Sequence, residues 1–237
     1  MDWQALQDLR TLLVDAAPIM LRGAGYTVLF ALASMLGGLL IGFPVAVLRN
    51  LPYRLLRWPA TVYVSLFRGT PLLVQMFVIY YGLPSVGVQF EPVTAGVLAL
   101  SLNAGAFLSE SLRGAIGAVG QGQWAAAYSL GLGYRATLLH VILPQALRIA
   151  VPAMSNTLIS LIKDTSLVSV ITITELMLST KEVISTTFRP LPLYLAAAAI
   201  YWALSLLFET GEPGWTPRLT ARLMFSRHRP RRMLVFP

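Results

Sequence analysis

The chain has 237 residues, 56% hydrophobic and only 12% charged, with a mean hydropathy of +0.68. A soluble domain carries about a quarter charged residues, so this composition excludes a water-soluble globule and demands that apolar surface be buried in lipid. The net charge of +8 then bears on membrane topology and not on nucleic acid, while zero cysteines and two isolated histidines, His140 and His228, leave no disulfide, metal site or cofactor site to assign.

In chain order, residues 1–22 come first. Trp3, Leu6, Leu9 and Leu13 fall on one side and Asp2, Asp8 and Asp15 elsewhere, which predicts an amphipathic helix lying at the membrane surface. A helix crosses the hydrocarbon with about 20 apolar residues. Charge-free runs at 23–48, 69–90, 92–109 and 190–208 satisfy this, and 149–174 does so with only Lys163 and Asp164 interrupting. The expected fold class is therefore an all-α membrane protein with five transmembrane helices over residues 23–209. The first run is too long, and too far from the start, for a signal peptide.

Several residues stand out within these runs. Ser34, Gly38 and Gly42 form a small-residue ridge suited to close helix packing. Gly69 and Pro71 break a helix just inside the second run, and Pro71 suits a first helical position. In transporters such half-helix ends meet anionic substrate groups; alternatively, Arg68 through Pro71 only re-enter the bilayer, with Arg68 at the headgroups. Tyr80, Tyr81, Tyr201 and Trp202 read as interfacial or packing aromatics. Glu110 and Arg113 lie one turn apart and are expected to pair. Lys163 and Asp164 are the only charges well inside a span, and such residues are candidates for function. Adjacent positions do not share a helix face, so one of the two is expected to meet another element. Residues 210–237 combine Gly, Pro and many arginines, which reads as a disordered basic tail on anionic lipid or as a frameshifted terminus.

Basic residues orient the spans. Arg49, Arg54, Arg57 and Arg68 lie between the first and second, Arg113, Arg135 and Arg148 between the third and fourth, and six arginines in the tail. Five crossings put all three regions on one side. The positive-inside rule makes that side the cytoplasm, with the amino terminus outside and the carboxyl terminus inside.

The long cytoplasmic connection, residues 114–147, holds the most informative stretch. Gln123 to Leu130 has good helix formers, and Gly131 and Gly133 should stop it. Three alanines make the helix slim enough to enter a cleft on another protein. Pro144 is expected to end or bend the next segment. The spacing Trp124-Ala125-Ala126-Ala127, three residues, Gly131, nine residues, then Val141-Ile142-Leu143-Pro144 resembles the coupling loop of bacterial ABC-importer membrane subunits. Ala125 stands where that family usually has Glu, so an ion pair made there in the family is missing.

Three further stretches, Phe67 through Gln75, Asn103 through Ile116, and Leu143 through Arg148 continuing to Asn156 and Lys163 through Leu167, resemble the polar-amino-acid uptake branch of that family. The resemblance covers residues 15–209. It implies a permease subunit of the cytoplasmic (inner) membrane that is no enzyme itself. It implies ABC ATPase subunits, an extracytoplasmic amino-acid-binding protein, a second permease subunit (homo- or heterodimer), the lipid bilayer and a small amino acid substrate as partners. Gln123, Ala125, Ala126, Ala127, Gly131, Leu143 and Pro144 would couple to the ATPase. Arg68, Gly69, Thr70, Pro71, Asn156, Lys163, Asp164, Thr165 and Ser166 are candidates for the substrate pathway or gate. The sequence has no Gly-Lys dipeptide and hence no phosphate-binding loop of its own. An ATP-independent amino acid carrier or channel would instead predict transport by this chain alone and internal repeats, which are not visible. A membrane enzyme would want clustered His, Asp and Glu at one face.

Overall fold

The computed structural model describes residues 3–210, and all regular structure among them is helical. The basic tail beyond lies outside the described residues. Helix α1 runs unbroken over Trp3–Asn50, 48 residues, or about 72 Å at 1.5 Å per residue. That is more than twice the hydrocarbon thickness. Residues 1–22 were expected to lie on the surface as a separate helix. In the structure the segment from Trp3 on is one helix with the first span, and Ala16 and Met20 bury against Leu176, Val183, Leu193 and Ala197.

Helix α2 (Arg54–Gly69) and α3 (Leu72–Phe77) follow, α3 continuing through a π turn (Val78–Gly82) and a 3-10 turn (Leu83–Val86). The second span was expected at 69–90. Its helical part is shorter, Leu72–Val86, and joins α2 at a bend of 109°. Gly69 and Pro71 do break the helix, as expected: α2 stops at Gly69 and Pro71 caps α3. Helix α4 (Pro92–Ala118) crosses next, then the short α5 (Gln121–Ser129). Helix α6 (Tyr134–Ala136) runs through a π turn (Thr137–Ile142) into α7 (Leu143–Asp164), which ends in a 3-10 turn (Thr165–Ile171). Pro144 does not end this segment. It sits in the first turn of α7, directly after the π turn, where the widened ladder tolerates its missing N–H. Helices α8 (Leu176–Thr187) and α9 (Pro190–Thr210) complete the described chain. Among the described residues four helices are long and apolar enough to cross a membrane, five if the bent pair counts as one span.

The centre is the seam between α1 and α4, built by small residues. A Cβ placed on Gly38 would lie 2.9 Å from the Ala104 Cβ, and one on Gly42 would lie 2.7 Å from the Gly105 carbonyl oxygen. In lipid such close backbone approach, not hydrophobic expulsion, holds helices together. The expected ridge is this seam. The core beside it contains Met76, Leu100, Ile162, Val168 and Ile171.

Candidate functional site: a helix at the joint of α4 and α7

Helix α5 ends in a complete Schellman motif. The Leu132 N–H donates to the Ala127 carbonyl (3.1 Å) and the Gly131 N–H to that of Tyr128 (2.9 Å). Gly131 adopts φ +78°, which any side chain would strain. The stop expected at Gly131 is therefore local chemistry. The helix is held from behind. Trp124 stacks on Tyr134 at 5.7 Å between ring centroids, and the Gln123 Oε1 accepts from the Gln145 Nε2 at 3.2 Å. Tyr134 donates to the Asn50 carbonyl, tying this end to α1. Beneath lies an apolar cluster of Leu112, Ala115, Ile116 and Val119 with Leu138, Ile142, Leu143 and Ala146. Helix α5 thus packs on the π turn (Thr137–Ile142) that leads into α7, with Trp124 against the cluster this turn shares with the end of α4.

The expected coupling residues divide into two sets. Gln123, Ala125, Ala126, Gly131 and Pro144 are exposed; Ala127 and Leu143 are buried. Ala127 and Leu143 therefore cannot touch a partner and serve instead to seat the helix. Tyr128 near the end of α5 and Leu130 at its cap are apolar and exposed, 47% and 81%. From Ser111 to Ile162 the chain contains no Asp or Glu but carries Arg113, Arg135 and Arg148, all exposed, so the charge of this stretch is basic.

The candidate pathway residues divide as well. Along α7, Asn156, Ser160 and Lys163 are exposed, with Pro152, Ser155 and Ile159 partly so. The spacing is that of one helix face. Asp164 is half-buried while Lys163 is exposed, so the adjacent charges lie on different faces of the helix. Thr165 is fully buried and bonds the Ile162 carbonyl (2.7 Å), which removes it from any water-filled path. Ser166 bonds the Lys163 carbonyl at 2.7 Å. On α2, Ala60, Tyr63, Val64 and Phe67 turn inward, while Arg54, Arg57, Thr61, Ser65 and Arg68 form a second exposed polar stripe. The charged members of these stripes, Arg54, Arg57, Arg68 and Lys163, are costly to hold in lipid. Thr61, Ser65 and Ser160 were missed because single hydroxyls in an apolar run carry no signal until the helix phase is known.

Charge is concentrated at Glu110. The expected pair with Arg113 forms, and Arg49 joins it at 2.6 Å and Arg68 at 3.6 Å. Arg68 thus belongs to a network of three guanidiniums around one carboxylate. A second acid, Glu175, is fully buried. It accepts from the Tyr201 hydroxyl (2.6 Å), the Thr27 hydroxyl (3.3 Å) and the Leu178 N–H (2.9 Å), fastening α8 to α1 and α9.

Residues 38–211 match the family described as binding-protein-dependent transport system inner membrane component. The chain is 42% identical over 193 residues to the probable amino-acid ABC transporter permease protein YckA of Bacillus subtilis, covering 81% of this chain and 85% of that protein. It is 44% identical over 193 residues to the L-cystine transport system permease protein TcyB of the same organism, covering 81% and 82%. A solved crystal structure of an amino acid ABC transporter with histidines superposes with a TM-score of 0.80 at 33% identity, covering 89% of this chain and 95% of that one. Inward-facing structures of the MetNI methionine ABC transporter share the fold at a TM-score of 0.68 and 19% identity.

Proposed function

Because this chain belongs to the family of binding-protein-dependent inner-membrane transport components, and to its polar-amino-acid uptake branch, we propose that α5 is the element through which a separate ATPase drives substrate across the membrane. The chain is the permease subunit of a binding-protein-dependent ABC importer for amino acids and is not itself an enzyme. Membership implies an ATPase and a binding protein as partners. The observation that carries the coupling role is the placement of α5: slim, capped, outward-facing and packed on the π turn that leads into α7.

The mechanism follows from that placement. ATP closes the paired ATPases, α5 moves with the surface it docks on, and the joint of α4 and α7 tilts. The cavity then opens outward to receive substrate from the binding protein, and hydrolysis restores the inward state. Arg68 through Pro71 on the break, with Asn156 and Lys163 on α7, line the path. Thr61, Ser65 and Ser160 extend it, since they share their stripes with charges that are costly to hold in lipid. A polar amino acid suits these hydroxyls, amides and cations, and cystine transport by a relative 44% identical lies within that class. The amino terminus is outside, and α5 together with Arg49, Arg113 and Arg135 is in the cytoplasm.

Co-purification with the candidate ATPase, followed by uptake and ATP hydrolysis in proteoliposomes, tests this reading. Uptake should require nucleotide, the ATPase and the loaded binding protein together. Undiminished uptake by vesicles holding this chain alone would replace the importer with a passive carrier.

A further inference from the structure

The two stretches at 67–75 and 103–110 are far apart in sequence and meet at the broken span. Where α2 stops, its last carbonyls lose their helical partners. Gln75, buried to 8% exposure, supplies them. Its Nε2 donates to the Phe67 carbonyl (2.8 Å), the Thr70 carbonyl (3.0 Å) and the Thr70 hydroxyl (2.9 Å). Its Oε1 accepts from the Asn103 Nδ2 at 3.0 Å, and that same Nδ2 lies 3.2 Å from the Phe67 carbonyl. Asn103 opens a stripe on α4. Asn103, Phe107 and Glu110 follow one another at helical spacing on a single face. The Arg68 guanidinium lies 5.4 Å over the Phe107 ring and 3.6 Å from Glu110. One face of α4 therefore grips both sides of the break.

We infer that Gln75 and Asn103 are positioning residues that latch the broken span to α4, so that displacement arriving at α5 reaches the break as motion of one body. This rests on the ATPase-driven reading above. Helix α4 ends at Ala118 and α5 begins at Gln121, so almost no slack separates them. From Asn103 to Ala118 the helix is continuous, about 23 Å of stiff rod. The clamp bonds a backbone whose own ladder is interrupted, and Gln75 makes those bonds from a buried position. Removing either amide breaks the link between the break and Asn103 while leaving the Arg68 contacts with Phe107 and Glu110, α5 and its docking face intact.

The test uses the complete transporter in proteoliposomes with Gln75→Met, Asn103→Leu and the double variant. Each single variant should lower substrate moved per ATP hydrolysed about tenfold, and the double should cost no more than the worse single, because both break one clamp. Hydrolysis rate and the KM for the loaded binding protein should stay near native, which a general loss of folding would not allow. Native coupling in either single, or losses that add in the double, would overturn the latch. The chain has no cysteine, so spin labels at Val74→Cys and Gly114→Cys report on the native clamp independently. Val74 is 49% exposed, and a Cβ on Gly114 meets nothing within 4 Å. The label distance should stay fixed on adding ATP; a change would sink the one-body claim even if the substituted chains fail to fold. Uptake without nucleotide in native vesicles would defeat the importer reading itself, and the latch with it.

Discussion

Replacing Gly42 by alanine should loosen the seam on which the other spans are assembled. The added Cβ would lie 2.7 Å from the Gly105 carbonyl oxygen, 3.1 Å from the Leu108 Cβ and 3.3 Å from the Gly105 Cα. Two of these three atoms are backbone, so no rotamer change relieves the contact; α1 and α4 must separate. Overpacking of this kind costs about 1–3 kcal/mol. Alanine's better helix propensity returns up to about 1 kcal/mol, too little to reverse the sign. Gly25 lies in the same helix, where an added Cβ meets nothing within 4 Å, so Gly25→Ala shows the propensity gain alone. Thermal unfolding of both variants in one detergent, followed by tryptophan fluorescence, separates the two effects. For a chain of this size roughly 2–4 °C accompanies each kcal/mol, so Gly42→Ala should melt below native and Gly25→Ala at or slightly above it. Equal melting of the two would mean that α1 and α4 do not pack through this ridge.

Leu130→Asp should weaken association with the ATPase at least about tenfold, since it puts a charge on the most exposed apolar residue of the docking face; pull-down titration reads it. Ala125→Glu restores the acid usual in the family and should tighten the same association if the ATPase keeps a basic partner, by ~1–3 kcal/mol when desolvated; unchanged association and turnover would mean that this pair of subunits couples without it. Glu175→Ala should destabilise by about 1–3 kcal/mol, because it removes the acceptor shared by the Thr27 and Tyr201 hydroxyls and the Leu178 N–H, whereas Tyr201→Phe removes one of these bonds and should cost about 1 kcal/mol; melting temperatures check both. Lys163→Met should lower uptake while leaving melting unchanged, because the side chain is exposed on the α7 stripe; a lower melting temperature with normal uptake would assign it a structural role.

What the sequence discloses here follows the range of the forces involved. Spans announce themselves because lipid imposes both length and apolarity on one contiguous run, and α4 and α9 emerge close to where charge-free runs put them. The stop at Gly131 is equally legible, since a Schellman motif is closed by residues within one turn. Helix α2 fails the same test for a physical reason. Its arginines at 54, 57 and 68 interrupt the apolar run, yet they occupy one stripe, while Ala60, Tyr63, Val64 and Phe67 bury a different face. A filter that counts charges discards what a helical phase would have kept. The π turn before Pro144 escapes for another reason: proline predicts the lost hydrogen bond but not whether the chain will kink or widen to absorb it. The polar fastenings are hardest. Gln75 reaches Asn103 across 28 positions, and Glu175 reaches Thr27 across 148. A hydropathy profile registers each as one weak polar residue. Only after the helices are placed does it emerge that these acids and amides bind broken or short segments to the long rods.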